Sequence, residues 1–419
     1  MIATLTSQRI LWSTAVQLFG KLFQMALGLI TIKLVTNALG VEEYGLYGKI
    51  SEFALFFSTA ANLGLFGNTV REMAEAPEDG KLFTNVLLLR LITAALFLGV
   101  GLIYTFIFTE PEFSLGVLFF AGALFFDYIT SVCDGMLQAT YRMGRAVFAL
   151  VSGRLIALLV VTALVNSQMS EAHLFFLAPL CGALLTSALS LFFVHQKIKF
   201  KWKIEASLMR MLVLTSLPFG IINILNSLYF RFLPSFFATQ ALSDSIFGNY
   251  NLTLHVTSTA SLLSTFLMFS TLPALKQAIH DKHPTRAKEL YKTMRRALLL
   301  AGLLLIGLGT LVTPVLIQAL TNKTFIVPGW EFMLPLLLVL AAVSYLYDLV
   351  LLTLFAYEDE IWYLSREFFA LGLALIFFFS SLLLDDAHSK MILILSGAIV
   401  GEFTMVLLGF HRLRKKHFA

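Results

Sequence analysis

Charge is scarce in this chain. Of its 419 residues only 13% are Asp, Glu, Lys or Arg, against about a quarter in an ordinary soluble domain. Cysteine is nearly absent. Cys133 and Cys181 both lie inside apolar runs, which excludes a disulfide framework and reads as two small core residues. Nucleotide-binding and hydrolytic signatures are missing too. Gly40 and Gly45 have P-loop spacing, but Leu46 and Tyr47 follow where Lys and Ser or Thr are needed, so no ATP engine of that kind is present. No serine nucleophile elbow occurs. His280-Asp281-Lys282-His283 stands in a basic segment and reads as solvated. The sequence therefore names no catalytic residue, no metal site and no cofactor.

What the chain has in excess is apolar surface. Hydrophobic residues make up 58%, phenylalanine alone accounts for forty positions, and the mean hydropathy is +0.84. That composition excludes a disordered chain, a collagen and a nucleic-acid-binding domain, and it disfavours a water-soluble enzyme. An all-α polytopic membrane protein remains.

A spanning helix needs about 20 mostly apolar residues. Twelve runs qualify: 10–38, 46–70, 82–108, 114–138, 146–166, 172–194, 210–237, 246–275, 297–319, 331–356, 362–384 and 389–411. The first is too long for a signal-peptide core and lacks a cleavage site, so it counts as the first helix. With the N-terminus placed in the cytoplasm, 22 lysines and arginines fall in inside segments and two, Lys323 and Lys390, fall outside. The positive-inside rule then predicts both termini in the cytoplasm. The outer loops are short and leave no room for a folded domain, which favours transport over surface chemistry.

Six spans precede and six follow the segment around Lys197-Ile198-Lys199-Phe200-Lys201-Trp202-Lys203. The predicted organisation is an N-terminal six-helix lobe over 1–196, a basic cytoplasmic linker over 197–209 and a C-terminal six-helix lobe over 210–419. The alternation of basic and apolar residues in the linker reads as an interfacial strap on anionic headgroups. Residues 276–296 form a second basic segment with helix-like spacing.

Ionisable residues inside spans are the informative positions, because each costs about 2.5–3.5 kcal/mol at mid-helix. Lys21, Arg90, Arg154 and Arg231 lie deep, as do Asp127, Asp134, Asp348 and Glu402. They must face one another, other helices or a wet cavity. In the first span Ser13, Gln17, Lys21, Gln24, Gly28 and Thr31 recur at three- and four-residue steps; in the seventh Ser216, Gly220, Asn223, Ser227 and Arg231 do the same. Each set forms one polar stripe carrying a base that needs an anion. Polar stripes are also ordinary glue between membrane helices, and the eighth span, with Thr253, Thr257, Ser258, Thr259, Ser261, Ser264 and Thr265, has that character. Asp127 and Asp134 share a face and either neutralise Arg90 or Arg154 or take a coupling ion; Asp348 and Glu402 are the corresponding candidates in the second half.

Thr36-Asn37-Ala38-Leu39-Gly40-Val41-Glu42-Glu43-Tyr44-Gly45-Leu46-Tyr47-Gly48 resembles the first outer loop of the polysaccharide-biosynthesis (O-antigen) repeat-unit flippases. Asn62-Leu63-Gly64-Leu65 and Val70-Arg71-Glu72 resemble the end of that family's second helix. Pro218-Phe219, Tyr229-Phe230-Arg231 and Phe247-Gly248-Asn249-Tyr250-Asn251 resemble its seventh and eighth. The resemblance implies the multidrug, oligosaccharidyl-lipid and polysaccharide exporter superfamily, with twelve transmembrane helices in two six-helix lobes, MATE-like, and alternating access. It implies a bacterial inner membrane location and an undecaprenyl-pyrophosphate-linked oligosaccharide as cargo. A polysaccharide polymerase and a chain-length regulator are implied as partners besides membrane lipid, and no nucleic acid. Lys21, Arg90, Arg154 and Arg231, with Gln17, Gln24 and Asn223, would receive the pyrophosphate and sugars. The chain departs from many members after Arg231, where Phe232-Leu233-Pro234 replaces an acid. A multidrug exporter of the same superfamily, a membrane polymerase and a peptidoglycan-precursor flippase are the alternatives; the deep bases, the short outer loops and the span count respectively weigh against them.

The charge asymmetry makes a direct prediction. A reporter active only in the cytoplasm should be active when fused after Lys203 and silent when fused after Lys323, as scored by whole-cell activity.

Overall fold

The computed structural model describes residues 2–65, 72–73, 79–140, 142–260, 264, 271–272, 274–279, 281, 283–321, 325 and 329–417, with side chains of 2–19, 21 and 260 excepted. The expectations for Gln17, Lys21, Arg71, His280, Lys282 and Lys323 lie outside what is described. The fold is helical, and no strand occurs among the described residues. We number the helices α1 (Ile2–Asn62), α2 (Gly80–Phe108), α3 (Pro111–Ala139), α4 (Met143–Asn166), α5 (Leu177–His195), α6 (Ala206–Ser227), α7 (Leu233–Ala241), α8 (Asp244–Ala260), α9 (Pro284–Thr321), α10 (Met333–Ala356), α11 (Glu360–Ser381) and α12 (Ala387–Arg412).

Ten helices are long and apolar enough to cross a membrane among the described residues. Two features account for the difference from the twelve expected spans. α1 runs through the first two as one element, broken at Gly40 by backbone angles of φ 69° and ψ −174°. A Cβ there would meet nothing within 4 Å, so the positive φ and not crowding asks for glycine. The eighth span, 246–275, lies partly outside the described residues; its described helix is α8, of 17 residues.

Two compact units, Met1–Gly220 and Ile221–Ala419, make up the chain, and the division falls within α6. In the first unit Phe83, Val86, Cys133 and Met136 lie in a core shared by α2 and α3, and both cysteines are free. In the second, Phe247, Tyr250, Leu337 and Leu395 join α8, α10 and α12. Exposed apolar residues follow helical spacing. Ile92, Leu96, Val100, Ile103 and Ile107 mark α2, and Leu300, Leu304, Leu308, Leu311 and Val315 mark α9. Water would penalise patches of this size; lipid accepts them.

The segment after α5 is an extended strap held to the start of α2. Ile198 is buried, and the Phe200 ring stacks on Phe83 at 5.1 Å. Thr84 Oγ1 donates to the Lys201 carbonyl at 2.6 Å and Asn85 Nδ2 to that of Lys203 at 2.8 Å. Glu205 N donates back to Asn85 Oδ1 at 2.7 Å, and Lys81 pairs with Glu205. The strap's Trp202 is exposed between lysines, as an interfacial anchor would be.

The C-terminal turn of the second unit is fastened by one carboxylate. Asp359, in the turn between α10 and α11, accepts from Arg412 Nε and Nη2 at 3.1 Å each, and Lys416 Nζ lies at 2.6 Å. The His417 Nε2 atom is 2.7 Å from Oδ2, and its ring stacks on Tyr357 at 4.0 Å. Burial pushes the Asp359 carboxyl up, but the hydrogen bonds from Arg412, Lys416 and His417 outweigh it and hold the group well below the usual carboxylate range. Folding therefore favours the ionised form. Its contribution is complete above the ordinary Asp value of about 3.9 and is lost as pH falls below that value toward the folded one. We expect Asp359→Asn to lower the stability of the purified protein at pH 7 by about 1–3 kcal/mol. Thermal melting between pH 6 and pH 3 should show a weaker acid dependence in the variant than in the parent.

Candidate functional site

Among the described residues the first unit buries one base. Arg90, midway along α2, is 2% exposed. Its Nη1 donates to Asn62 Oδ1 at 2.5 Å and its Nη2 to Ser131 Oγ at 3.4 Å. The guanidinium lies 5.1 Å from the centre of the Tyr128 ring, whose hydroxyl donates in turn to the Ser58 carbonyl. These contacts fasten α2 to α1 and α3 through neutral groups. Asn62 is the last residue of α1, so its amide is placed where the helix stops. Arg90 Nε has no hydrogen-bond partner. Of the two carboxylates expected to neutralise Arg90 or Arg154, neither takes Arg90.

Arg154 behaves differently. It sits halfway along α4 with an exposed side chain, and Asp127 is exposed on α3. The Arg154 charge acts on Asp127 and on Tyr47 of α1. Asp134, seven residues along α3, is half-buried, and its Oδ1 has no hydrogen-bond partner. Gln24 is half-buried on α1.

The second unit holds a buried carboxyl cage. Asn226, near the end of α6, donates from Nδ2 to Glu402 Oε1 on α12 at 2.9 Å and to the Tyr229 hydroxyl at 3.1 Å. Tyr229 donates to Glu367 Oε2 on α11 at 2.9 Å, and Tyr347 of α10 donates to Glu367 Oε1 at 2.5 Å. The result is a continuous chain, Glu402–Asn226–Tyr229–Glu367–Tyr347, built from four helices and the π turn that follows α6. Among the described residues no basic side chain pairs with either glutamate, and Glu402 Oε2 and the Tyr363 hydroxyl have no hydrogen-bond partner. Beside the cage, Ser264 donates to Asp348 Oδ2 at 2.6 Å.

Local sequence explains the cage. Residues Leu228–Phe232 form one π turn between α6 and α7, a distortion often found at functional sites. Tyr229 is fully buried there, and Arg231, on the same turn, is half-buried. Asn223 is half-buried one turn before Asn226 on α6. The close approach of Tyr229 to α12 needs Gly401, because a Cβ there would sit 2.7 Å from the ring. The hydroxyls of α8 mostly return to their own helix: Thr257 donates to the Thr253 carbonyl at 2.9 Å and Thr259 to that of His255 at 2.9 Å.

The structure thus gathers the expected Asp348 and Glu402 near one another, and Arg154 near Asp127. It keeps Arg90 apart, inside its own helical core. Glu367, Asn226 and the three tyrosines were missed in the sequence. A signal was present: Tyr363, Glu367, Ala370, Ala374 and Phe378 all lie on the buried stripe of α11.

Helices of this length and hydropathy define a multi-pass membrane protein. The sequence profile of the polysaccharide biosynthesis protein family matches residues 10–278. The chain belongs to that family. No curated protein matches the sequence. The fold is similar to an inward-facing multidrug resistance MATE family transporter of the MOP superfamily, with a TM-score of 0.71 at 13% identity, covering 93% of this chain and 94% of that one. An outward-facing MATE transporter of that superfamily gives 0.65 at 14% identity over 97% and 95% of the two chains. A MOP superfamily transporter from Pyrococcus furiosus, described as having a binding pocket of reverse polarity that suggests a different function, gives 0.65 at 13% over 97% and 95%. The family and these structures are transporters, not enzymes.

Overpacking at the Tyr229 contact should be costly. Gly401→Ala is expected to destabilise the protein by about 1–3 kcal/mol, and Tyr229→Phe, which removes the link between Asn226 and Glu367, by about 1 kcal/mol. Thermal unfolding in detergent checks both.

Proposed function

We propose that this chain is a flippase that carries an undecaprenyl-pyrophosphate-linked oligosaccharide from the cytoplasmic to the periplasmic leaflet of a bacterial inner membrane. The product would serve O-antigen or another surface polysaccharide. One observation carries the reading: Arg154 is exposed at the middle of an apolar helix. Facing lipid, it would cost about 2.5–3.5 kcal/mol; facing a wet path, it offers a positive charge to an anionic headgroup. A pyrophosphate and its sugars cannot cross hydrocarbon bare, since each unpaired polar group costs several kcal/mol. Lys21 and Arg231, on the polar stripes of the first and seventh spans, would extend that path together with Gln17, Gln24 and Asn223. Arg90 supports it from inside α2 by fixing α1 and α3. The lobes 1–196 and 210–419, joined by the strap, would alternate in access.

The carboxyl cage suits the coupling step. It presents acceptors and no fixed cation, so a mobile proton or a small monovalent cation is what it can take up and release. Glu402 belongs to it directly and Asp348 adjoins it; Asp127 and Asp134 are the candidates in the first unit. The headgroup's own charge adds a drive, because one elementary charge moved through 100 mV is worth about 2.3 kcal/mol.

Movement of a fluorescent lipid-linked oligosaccharide across liposomes containing the purified protein tests the reading. Arg154→Ala and Arg231→Ala should each lower the rate at least about ten-fold while the protein remains folded, and Glu402→Gln should remove its dependence on an imposed ion gradient. Unchanged lipid movement in the arginine variants, with efflux of an organic cation by the parent, would overturn it in favour of a multidrug exporter.

A further inference from the structure

The second unit contains a basic cavity that the transport reading does not use. It lies between the start of α9 and the end of α12, encloses about 460 Å³, and is lined by Lys288, Lys292, Arg295, His411 and Arg414. Lys288, Lys292 and Arg295 follow one another at i, i+4 and i+7 along one face of α9. His411 and Arg414 come from the opposing chain end. Its base is aromatic: the Tyr291 and Phe410 rings meet edge to face at 6.4 Å, and Tyr291 is 5% exposed. Among the described residues no carboxylate lines it.

The sorting of charge at this chain end is informative. Arg412, Lys416 and His417 turn onto Asp359. His411 and Arg414, interleaved with them, line the cavity instead, where the Arg414 charge adds to the positive charge from α9. Like charges gathered within a Debye length repel one another. The arrangement is favourable when an anion sits among them.

We propose that this cavity binds the phosphate of an anionic phospholipid headgroup. Its place beside an exposed apolar helix face supports a lipid rather than a free ion. The lining residues of α9 end at Arg295, and the apolar part of the same helix begins after Arg296. There Leu299, Leu300, Leu303 and Leu304 are exposed, in the place where the acyl chains of a lipid seated in the cavity would run. Aromatic rings and basic side chains at headgroup level, above such a stripe, are the elements of lipid-headgroup recognition. The site is independent of the transported cargo, so transport of a lipid-linked oligosaccharide can fail while this binding stands.

Native mass spectrometry of the full-length protein, titrated with diphosphatidylglycerol, phosphatidylglycerol or phosphatidylcholine, tests the proposal. The protein should retain the anionic lipids and not phosphatidylcholine, and retention should fall steeply between 50 and 500 mM salt. The double variant Lys292→Gln, Arg295→Gln should weaken retention at least about ten-fold. Equal retention of phosphatidylcholine, salt-independent binding, or undiminished binding in the α9 variant would overturn it. So would inorganic pyrophosphate binding to the cavity variant-sensitively while no phospholipid is retained, which would identify a free-anion site. The salt series uses the parent protein and decides the question even if the α9 variant does not fold.

Discussion

A polar group inside hydrocarbon has no water to fall back on, and this single constraint orders the interior of the protein. Each buried charge is answered by a different local device. Arg90 is answered by an amide, a hydroxyl and an aromatic face. Glu367 and Glu402 are answered by tyrosine and asparagine donors. At Asp359, at the end of the spans, a carboxylate is answered by full positive charges. The difference in partners is a difference in purpose. Ion pairs of matched sign fix a structure in one state. Neutral donors hold a charged group without cancelling it, and the group stays able to act on something that arrives.

The two halves of the chain use this freedom in opposite ways. The deep residues of the first unit include an arginine held by neutral groups and another exposed at mid-helix; those of the second are carboxyls in a hydroxyl cage, with Arg231 close by in sequence. Buried charge pairs repay their desolvation only with good geometry.

Much of the fold was legible in the sequence, because the hydrocarbon demands long apolar runs and the demand is visible in composition. The break at Gly40 fell between two such runs, and the exposed stripes of α2 and α9 follow from helical spacing. Glu402 and Asp348 were legible as costly residues in the wrong medium. Glu367 was not, because it follows Arg366 near the start of its span and reads there as an ordinary interfacial acid. Asn226 and Tyr229 were hidden for another reason: a π turn shifts the face that each residue presents, and a 3.6-residue stripe cannot anticipate it. Arg90 was found as a deep base, but its partners could not be read, since Asn62 and Ser131 are brought to it by two other helices. The basic cavity was split in the sequence between residues 288–295 and the last turn of the chain, more than a hundred positions apart.

The strap between α5 and α6 has an unexpected bearing on how the polypeptide tolerates rearrangement. A stretch rich in lysine between two helical bundles looks like a place to insert a tag, cleave the backbone or exchange one bundle for a relative's. Here Asn85 reads the backbone on both sides of Ile204, Phe200 fills a slot against Phe83, and Lys81 closes on Glu205. The stretch behaves as a sixth wall of the first bundle more than as a tether. Chimeras spliced at Lys197 would strip that wall away, whereas a junction moved past Glu205 would carry it along intact.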